Sequence, residues 1–221
     1  MLNDSQSPRG KSVRQLLHLA LALLAVASVL SLSSTSEAQV KRPGAHPRYD
    51  AELEPHGVIL WNGPFGFDEG LGVGLRAAIP LFHNGPIPKI NNNMAIGFGV
   101  DWAYFDEPCN SGFRYRNDIV YLGTDCTAHA LYFPVVLQWN FYLTKMITVF
   151  GEPGLAFSYT SWSVDACPGA PSGSLCNIDD SDFDIHPLVL FAGAKFMFGE
   201  TVGLTVRLGF PYISVGASFL L

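Results

Sequence analysis

The sequence alternates apolar residues with small or polar ones over many separate stretches, and this period of two is what most restricts its fold. Residues 201–210 show it most clearly, because every second side chain is apolar: Val202, Leu204, Val206, Leu208 and Phe210. The residues between them are small, polar or charged: Thr201, Gly203, Thr205, Arg207 and Gly209. Successive side chains of a β-strand point to opposite faces of its sheet, so the pattern predicts strands with one apolar face.

Eight stretches carry this alternation, at 54–62, 71–81, 94–104, 131–143, 146–160, 184–198, 201–210 and 213–219. The first of them is the weakest. Most approach or exceed the roughly 9–11 residues that a tilted strand needs to cross a bilayer. Beyond residue 40, no apolar run approaches the roughly 18 residues of a transmembrane helix. The pattern therefore predicts an all-β fold, an antiparallel up-and-down barrel of eight strands.

The connections between these strands differ in length at the two ends of the predicted barrel. Short turns fall at 144–145 and 199–200, and a moderate one falls at 82–92. The long connections, 106–129 and 164–183, fall at the opposite end of the strands. Short periplasmic turns and longer outer loops are typical of outer-membrane barrels. The order of the strands therefore predicts long loops on the outside of the cell.

The second face of the strands indicates whether lipid or water surrounds the barrel. A soluble, lipocalin-like barrel turns its polar face to water, and that face would carry many charges. Here it carries chiefly Gly, Ala, Ser and Thr, and only 14% of all residues are charged, against roughly 25% in soluble domains. Small side chains suit the narrow interior of an eight-stranded barrel. The sequence therefore predicts a membrane-spanning barrel with its apolar face toward lipid.

The first 38 residues have the three parts of a secretory signal peptide. Arg9, Lys11 and Arg14 form a positive region, residues 16–32 are apolar, and Ser36-Glu37-Ala38 offers small residues for cleavage. The alternative is an uncleaved membrane anchor, since the apolar stretch approaches spanning length. We expect cleavage before Gln39, a periplasmic lead-in over 39–52 and the barrel over 53–221.

The last predicted strand carries a further pattern, formed by Ser214, Gly216, Phe219 and Leu221. It resembles the C-terminal strand signal of bacterial outer-membrane barrels, although many of those proteins end in Phe or Trp rather than Leu. With its leader and eight strands, the chain resembles small barrels of the OmpA/OmpX type. The resemblance implies a shear-closed barrel in the outer membrane of a Gram-negative-type bacterium, inserted by the outer-membrane assembly machinery. It implies no single activity, because one fold supports many functions.

All four cysteines lie in the predicted outer loops, Cys109 and Cys126 in one, Cys167 and Cys176 in the other. Export permits disulfides, and pairing within each loop is the economical interpretation. A metal site or a reactive thiol is the alternative, but neither pair has Cys-x-x-Cys spacing and no histidine cluster accompanies them. The sequence thus predicts two disulfide-stapled loops, with no metal site and no cofactor.

Five charged residues fall on the small-residue face of the strands and would lie inside the barrel: Arg76, Asp101, Glu152, Lys195 and Arg207. Enclosed charges must pair with each other or face water. One interpretation is an ion-pair network that plugs the barrel, and the other is a narrow polar channel or gate. We favour the plug.

Two further groups of polar residues are candidates for a site. Asp180, Asp182 and Asp184 recur at every second position near a strand end, which suits either a solvated acidic rim or a site for calcium or for cations that bridge lipopolysaccharide. They lack EF-hand spacing, so the rim is favoured. The candidate catalytic histidines are His56, His129 and His186, but no serine-centred motif accompanies them. We therefore predict no enzymatic activity.

Three functions remain, of which the first is favoured: a structural or surface-interaction barrel, a narrow pore or small-solute transporter, and a lipid-modifying enzyme. The expected partners are outer-membrane lipid and lipopolysaccharide, besides the assembly machinery, and a monomer is favoured. The net charge of −6, with no basic cluster beyond the N-terminus, argues against nucleic acid. The sequence names no extracellular ligand.

Overall fold

The computed structural model of the protein describes residues 39–61, 63, 69–107, 113–115, 118–120, 126–164 and 179–221. They form ten strands: β1 (Glu52–Trp61), β2 (Glu69–Phe82), β3 (Asn92–Glu107), β4 (Phe113–Tyr115), β5 (Asp118–Val120), β6 (Cys126–Tyr142), β7 (Ile147–Val164), β8 (Asp179–Met197), β9 (Val202–Gly209) and β10 (Tyr212–Leu220). Eight of them close into a barrel, and β4 and β5 form a separate two-stranded hairpin. The predicted eight-stranded barrel is confirmed.

The barrel closes where its first and last strands meet. β1 pairs antiparallel with β10, in a register that places Leu53 opposite Phe219 and Gly57 opposite Val215. Going round from β1, the remaining neighbours are β2, β3, β6, β7, β8 and β9, and every pair is antiparallel. Each strand therefore follows its sequence neighbour around the wall, which is the predicted up-and-down order.

The two faces of the wall have opposite chemistry. Apolar side chains at alternate positions point outward and are exposed, with Leu71 at 68% and Leu188 at 77% of their full surface. The intervening side chains point inward and are buried, including most of the charged residues of the strands. A strand with this alternation has a lipid-facing side and a crowded interior side, as the sequence predicts. The described residues contain no helix long and apolar enough to span a membrane.

The strands reach farther on the outer side than the sequence predicts. β3 continues to Glu107 and β6 begins at Cys126, although both positions belong to a predicted loop. β7 continues to Val164 and β8 begins at Asp179, inside the second predicted loop. Backbone pairing satisfies the N–H and C=O groups whatever the side chains are, so the ladder extends beyond the apolar alternation that marks the membrane.

The barrel wall is consequently uneven in height. Four adjacent strands, β3, β6, β7 and β8, have 16 to 19 residues, whereas β9, β10 and β1 have 8 to 10. Pairing between β8 and β9 ends at Phe191 and Gly209. Among the described residues, the outer part of β8 therefore pairs with β7 alone. We call the outer extensions of these four strands the outer wall.

Two predictions fall on parts of the chain that the structure does not describe. The leader, 1–38, lies outside the described residues, as do Cys109, Cys167 and Cys176. Cys126 begins β6, and its side chain is not described. The two loop disulfides and the cleavage site stay predictions.

Candidate functional site

Part of the interior charge comes from β1, the strand whose alternation is weakest in the sequence. In Glu52-Leu-Glu54-Pro-His56, the acidic residues and the histidine fall at every second position and point inward. Leu53 faces outward between them. Three interior groups were therefore missed, although acidic residues at a spacing of two between apolar ones were the signal that would have found them.

Arg207 on β9 is at the centre of the interior charges. Its Nη1 and Nη2 donate to the two carboxylate oxygens of Glu54, at 2.5 and 3.0 Å. Its Nε and Nη2 donate to the two oxygens of Glu152, at 2.8 and 3.1 Å. A fifth bond, from Nη1, reaches the Ser214 hydroxyl at 3.2 Å. All five donors of the guanidinium are thus used, and the residue is 1% exposed.

Glu152 joins Arg207 to a second arginine. Its Oε2 accepts from Arg76 Nη1 at 2.9 Å as well as from Arg207. Its Oε1 accepts from Gln138 Nε2 at 3.0 Å. Arg207 bonds both oxygens of this carboxylate, and Arg76 bonds one of them. Hydrogen bonds between charged groups are stronger than neutral ones, so the two arginines hold Glu152 in one geometry.

Asp101 joins the network from the other side of Arg76. One carboxylate oxygen lies 3.5 Å from Arg76 Nη2, and the other lies 2.7 Å from His56 Nε2. Tyr212 donates its hydroxyl to Asp101 and accepts a bond from Arg76. The guanidinium of Arg76 also lies 5.0 Å from the ring centroid of Phe191, a cation–π distance. The aromatic side chains therefore close the network toward the outer side.

The predicted interior charges thus separate into two groups. The structure brings Arg76, Asp101, Glu152 and Arg207 into one connected network, which we call the central network together with Glu54, His56 and Tyr212. Lys195 lies in a neighbouring pair, with its Nζ 2.5 Å from Glu52 Oε2. Among the described interior residues, three cationic side chains face four carboxylates, so most of the buried charge is paired.

Little space remains between these groups. The cavity lined by Glu52, Glu54, Arg76, Gln138, Glu152 and Arg207 has a volume of about 10 Å³, which is the space of about one water molecule. Outward of the charges, a buried cluster that includes Val58, Leu60, Phe105, Phe191 and Tyr212 fills the interior. The described barrel is therefore closed by a charged layer and an apolar layer.

A surface of hydrocarbon side chains around an interior of paired charges is the reverse of a soluble barrel. Such a wall is stable where lipid covers it, and a closed antiparallel barrel with short turns at one end suits a lipid bilayer. The fold is that of a membrane-spanning β-barrel. Its apolar exterior can contact the lipid hydrocarbon. The hydrogen-bonded ladder has no open edge in that region, because β1 pairs with β10.

Comparison with known proteins gives likenesses of fold. No protein-family model and no curated protein matches the sequence. Ail, the attachment invasion locus protein of Yersinia pestis, has a TM-score of 0.46 and 10% identity, covering 80% of this chain and 99% of Ail. Neisserial surface protein A has a TM-score of 0.47 and 13% identity, covering 78% and 97%. The Acinetobacter baumannii outer membrane protein Omp33 has a TM-score of 0.22 and 9% identity, covering 78% and 98%.

Two glycines of the barrel make room for His56. A Cβ on Gly74 would lie 2.2 Å from Asp101 Oδ1 and 2.4 Å from His56 Nε2. A Cβ on Gly216 would lie 2.5 Å from the Cβ of His56. The glycine of the predicted assembly signal thus also has a packing role, because no side chain fits between β10 and β1 at this position.

Replacing Gly74 by alanine is expected to separate His56 from Asp101 and to lower the free energy of unfolding by roughly 1–3 kcal/mol, the usual cost of overpacking. Urea unfolding of the protein refolded into lipid vesicles measures the change. Gly57→Ala is the matched control, because its added Cβ meets no atom closer than 3.9 Å. Equal stability of the two variants would contradict the assigned packing.

The remaining histidines lie apart from the central network. His129 is exposed on the outside of β6, with its ring centroid 5.2 Å from that of Tyr104. His186 Nε2 lies 3.0 Å from the Ser158 hydroxyl, a contact between strands that the sequence did not reveal. Among the described residues, no carboxylate bonds to His186 to complete a catalytic triad. The pair therefore gives no support for an enzymatic site.

The three aspartates of β8 bond to their own strand. Asp180, Asp182 and Asp184 each accept a hydrogen bond from the backbone N–H of the following residue, at 2.9, 2.9 and 2.7 Å. Across the described part of the chain, no group of three or more His, Cys, Asp or Glu side chains is placed to hold a metal ion. The aspartates thus contribute to the edge of the outer wall.

Proposed function

We propose that the protein is a closed, non-conducting outer-membrane barrel that presents its outer wall and loops as an interaction surface. The observation that carries the proposal is the filled interior. Arg207 uses all its donors on Glu54, Glu152 and Ser214, and the cavity beside it measures about 10 Å³. A pore for hydrated solutes needs a continuous water path, which this packing opposes.

The outer wall supports the second half of the proposal. About 9–11 residues of a tilted strand cross a bilayer, whereas β8 has 19. Near its outer end, β8 carries Phe183 and Ile185 with about half or more of their surface exposed, beside the exposed Tyr159 of β7. Apolar and aromatic side chains on a projecting sheet are frequent in binding surfaces.

Conductance across a planar bilayer tests whether the barrel is closed. The refolded protein is expected to give no steady current steps. A general porin inserted under the same conditions is the positive control, because its current steps show that the assay detects an open barrel. Steady steps from the unaltered protein would overturn the closed barrel and favour the narrow pore.

Protease treatment of intact cells tests whether the outer wall is displayed. Proteinase K is expected to cut within the outer loops while residues 39–51 stay intact until the outer membrane is permeabilised. Cleavage near Lys41 and Arg42 in intact cells, with the outer loops protected, would reverse the proposed orientation.

A further inference from the structure

Residues 39–51, which we call the strap, cross the short-turn end of the barrel. The backbone nitrogen of Gln39, which the predicted cleavage makes the amino terminus, donates to the carbonyl of Leu143 at 2.9 Å. The backbone N–H of Asn91 donates to the carbonyl of Val40 at 2.8 Å. The amide of Asp50 donates to the carbonyl of Leu221 at 2.7 Å. The strap is thus bonded to the turn after β6, to the turn before β3 and to the end of β10.

Three residues of the strap are buried: Gln39, His46 and Tyr49. The ring of His46 stacks on the ring of Tyr142, with centroids 4.2 Å apart and planes 6° apart. Its Nδ1 lies 2.6 Å from Asn91 Oδ1, and the residue is 7% exposed. Tyr49 is 6% exposed, and its hydroxyl accepts a bond from Asn93 Nδ2 at 3.1 Å.

The strap covers the side of the charged interior that lies nearest the short turns. A cavity of about 20 Å³ is lined by Tyr49 and Tyr142 together with Thr148 and Lys195. Lys195 is the partner of Glu52. Tyr49 therefore separates this ion pair from the periplasmic solution, and removing the strap would admit water to it.

We propose that the strap is an acid-released lid, held over the periplasmic mouth of the barrel by the neutral form of His46. The ring is 7% exposed because it stacks on Tyr142 and bonds to Asn91, so an imidazolium there makes fewer contacts with water than one in a released strap. The positive charge would also lie close to Arg48 of the strap itself and to His83 of the turn after β2. The other charged groups on this side are Lys145 and Glu200, which have opposite charges and line the open cavity next to His46.

The direction of the pH effect follows from the burial of His46. Burial lowers the pKa of His46 from its ordinary value of 6.5; the charges of His83 and Arg48 act in the same direction, while hydrogen bonds to the Asn91 side chain and the His83 backbone oppose them. The docked strap therefore binds fewer protons than the released strap. Its docking is at full strength above about pH 6.5 and weakens as the pH falls through 6.5 toward the lowered pKa.

Hydrogen exchange of the refolded protein in lipid nanodiscs, followed by mass spectrometry from pH 7.5 to pH 5, tests the lid. After correction for the chemical exchange rate, peptides covering 45–51 are expected to exchange faster at low pH, while β9 stays constant. Each unit by which the docked pKa lies below the released one multiplies the ratio of released to docked strap tenfold at low pH. Unchanged exchange of the strap over this range would overturn the proposal.

Two variants separate His46 from the other groups. His46→Phe keeps a flat ring against Tyr142 and His46→Gln keeps a hydrogen-bond donor, and neither takes up a proton, so both are expected to lose the pH dependence. His83→Gln is the control, because it removes the other histidine of this region and is expected to keep the dependence. In the unaltered protein, the midpoint of exchange must coincide with the NMR titration of His46. A midpoint that follows His83 instead would contradict the assignment.

Discussion

Replacing Arg207 by leucine is expected to lower the free energy of unfolding by roughly 3–5 kcal/mol, the cost of breaking a buried ion pair by removing one partner. The guanidinium holds two carboxylates, Glu54 and Glu152, and both would stay buried without it. Leucine supplies the volume but no donor. Urea unfolding in lipid vesicles, followed by tryptophan fluorescence and by heat-modifiable gel mobility, measures the loss.

Two further variants show that this loss belongs to the charges left behind. Lys89→Leu removes an exposed cation from the turn before β3 and is expected to change stability by no more than about 0.5 kcal/mol. Arg207→Leu combined with Glu54→Gln is expected to recover part of the loss, because one unpaired charge is removed with its partner. If Arg207→Leu were as stable as Lys89→Leu, the structural role of the central network would be refuted.

A charge on the middle of the lipid-facing wall is expected to be the second large perturbation. Leu75 lies in the middle of β2, points outward and is 49% exposed. Arginine at the bilayer midplane costs roughly 2–4 kcal/mol, and roughly 0–1 kcal/mol near the interface. Leu75→Arg is therefore expected to destabilise the barrel much more than Leu81→Arg, because Leu81 is an equally exposed residue near the turn at 82–92, at the end of the same strand.

The same pair of variants tests the orientation of the whole wall. In a barrel surrounded by water, arginine at an exposed position changes stability by no more than about 0.5 kcal/mol wherever it lies. A depth-dependent loss appears only when hydrocarbon covers the apolar face. Equal and small effects of Leu75→Arg and Leu81→Arg would therefore refute the membrane-spanning arrangement itself.

The number of strands and the direction of their side chains were accessible from the sequence, because alternation is a local property. The outward Leu204 and the inward Arg207 follow from the period of two alone. The five predicted interior charges face inward for the same reason. What the pattern does not contain is the height at which each charge meets another, since that depends on strand tilt and on the stagger of the closed barrel.

The contacts of the central network could not be predicted from local sequence patterns. Arg207 and Glu54 lie 153 positions apart in the chain and meet because closure places β1 next to β10, the neighbour of β9. Tyr212 lies outside the predicted last strand, yet its hydroxyl connects Arg76 to Asp101. The outer extensions of β3 and β8 were missed for a different reason, because backbone pairing continues where the regular apolar alternation of the lipid-facing wall has ended or is short.

The outer part of β8, which pairs with β7 alone among the described residues, affects how copies of the protein share a crowded membrane. An open strand edge normally offers its amide hydrogens to any neighbouring chain and so nucleates aggregation. Here the carboxylates of Asp180, Asp182 and Asp184 already occupy the amides of Ser181, Phe183 and Ile185. A second molecule that approaches this edge meets bonds already made and a row of like charges, so adjacent barrels can collide without joining their sheets.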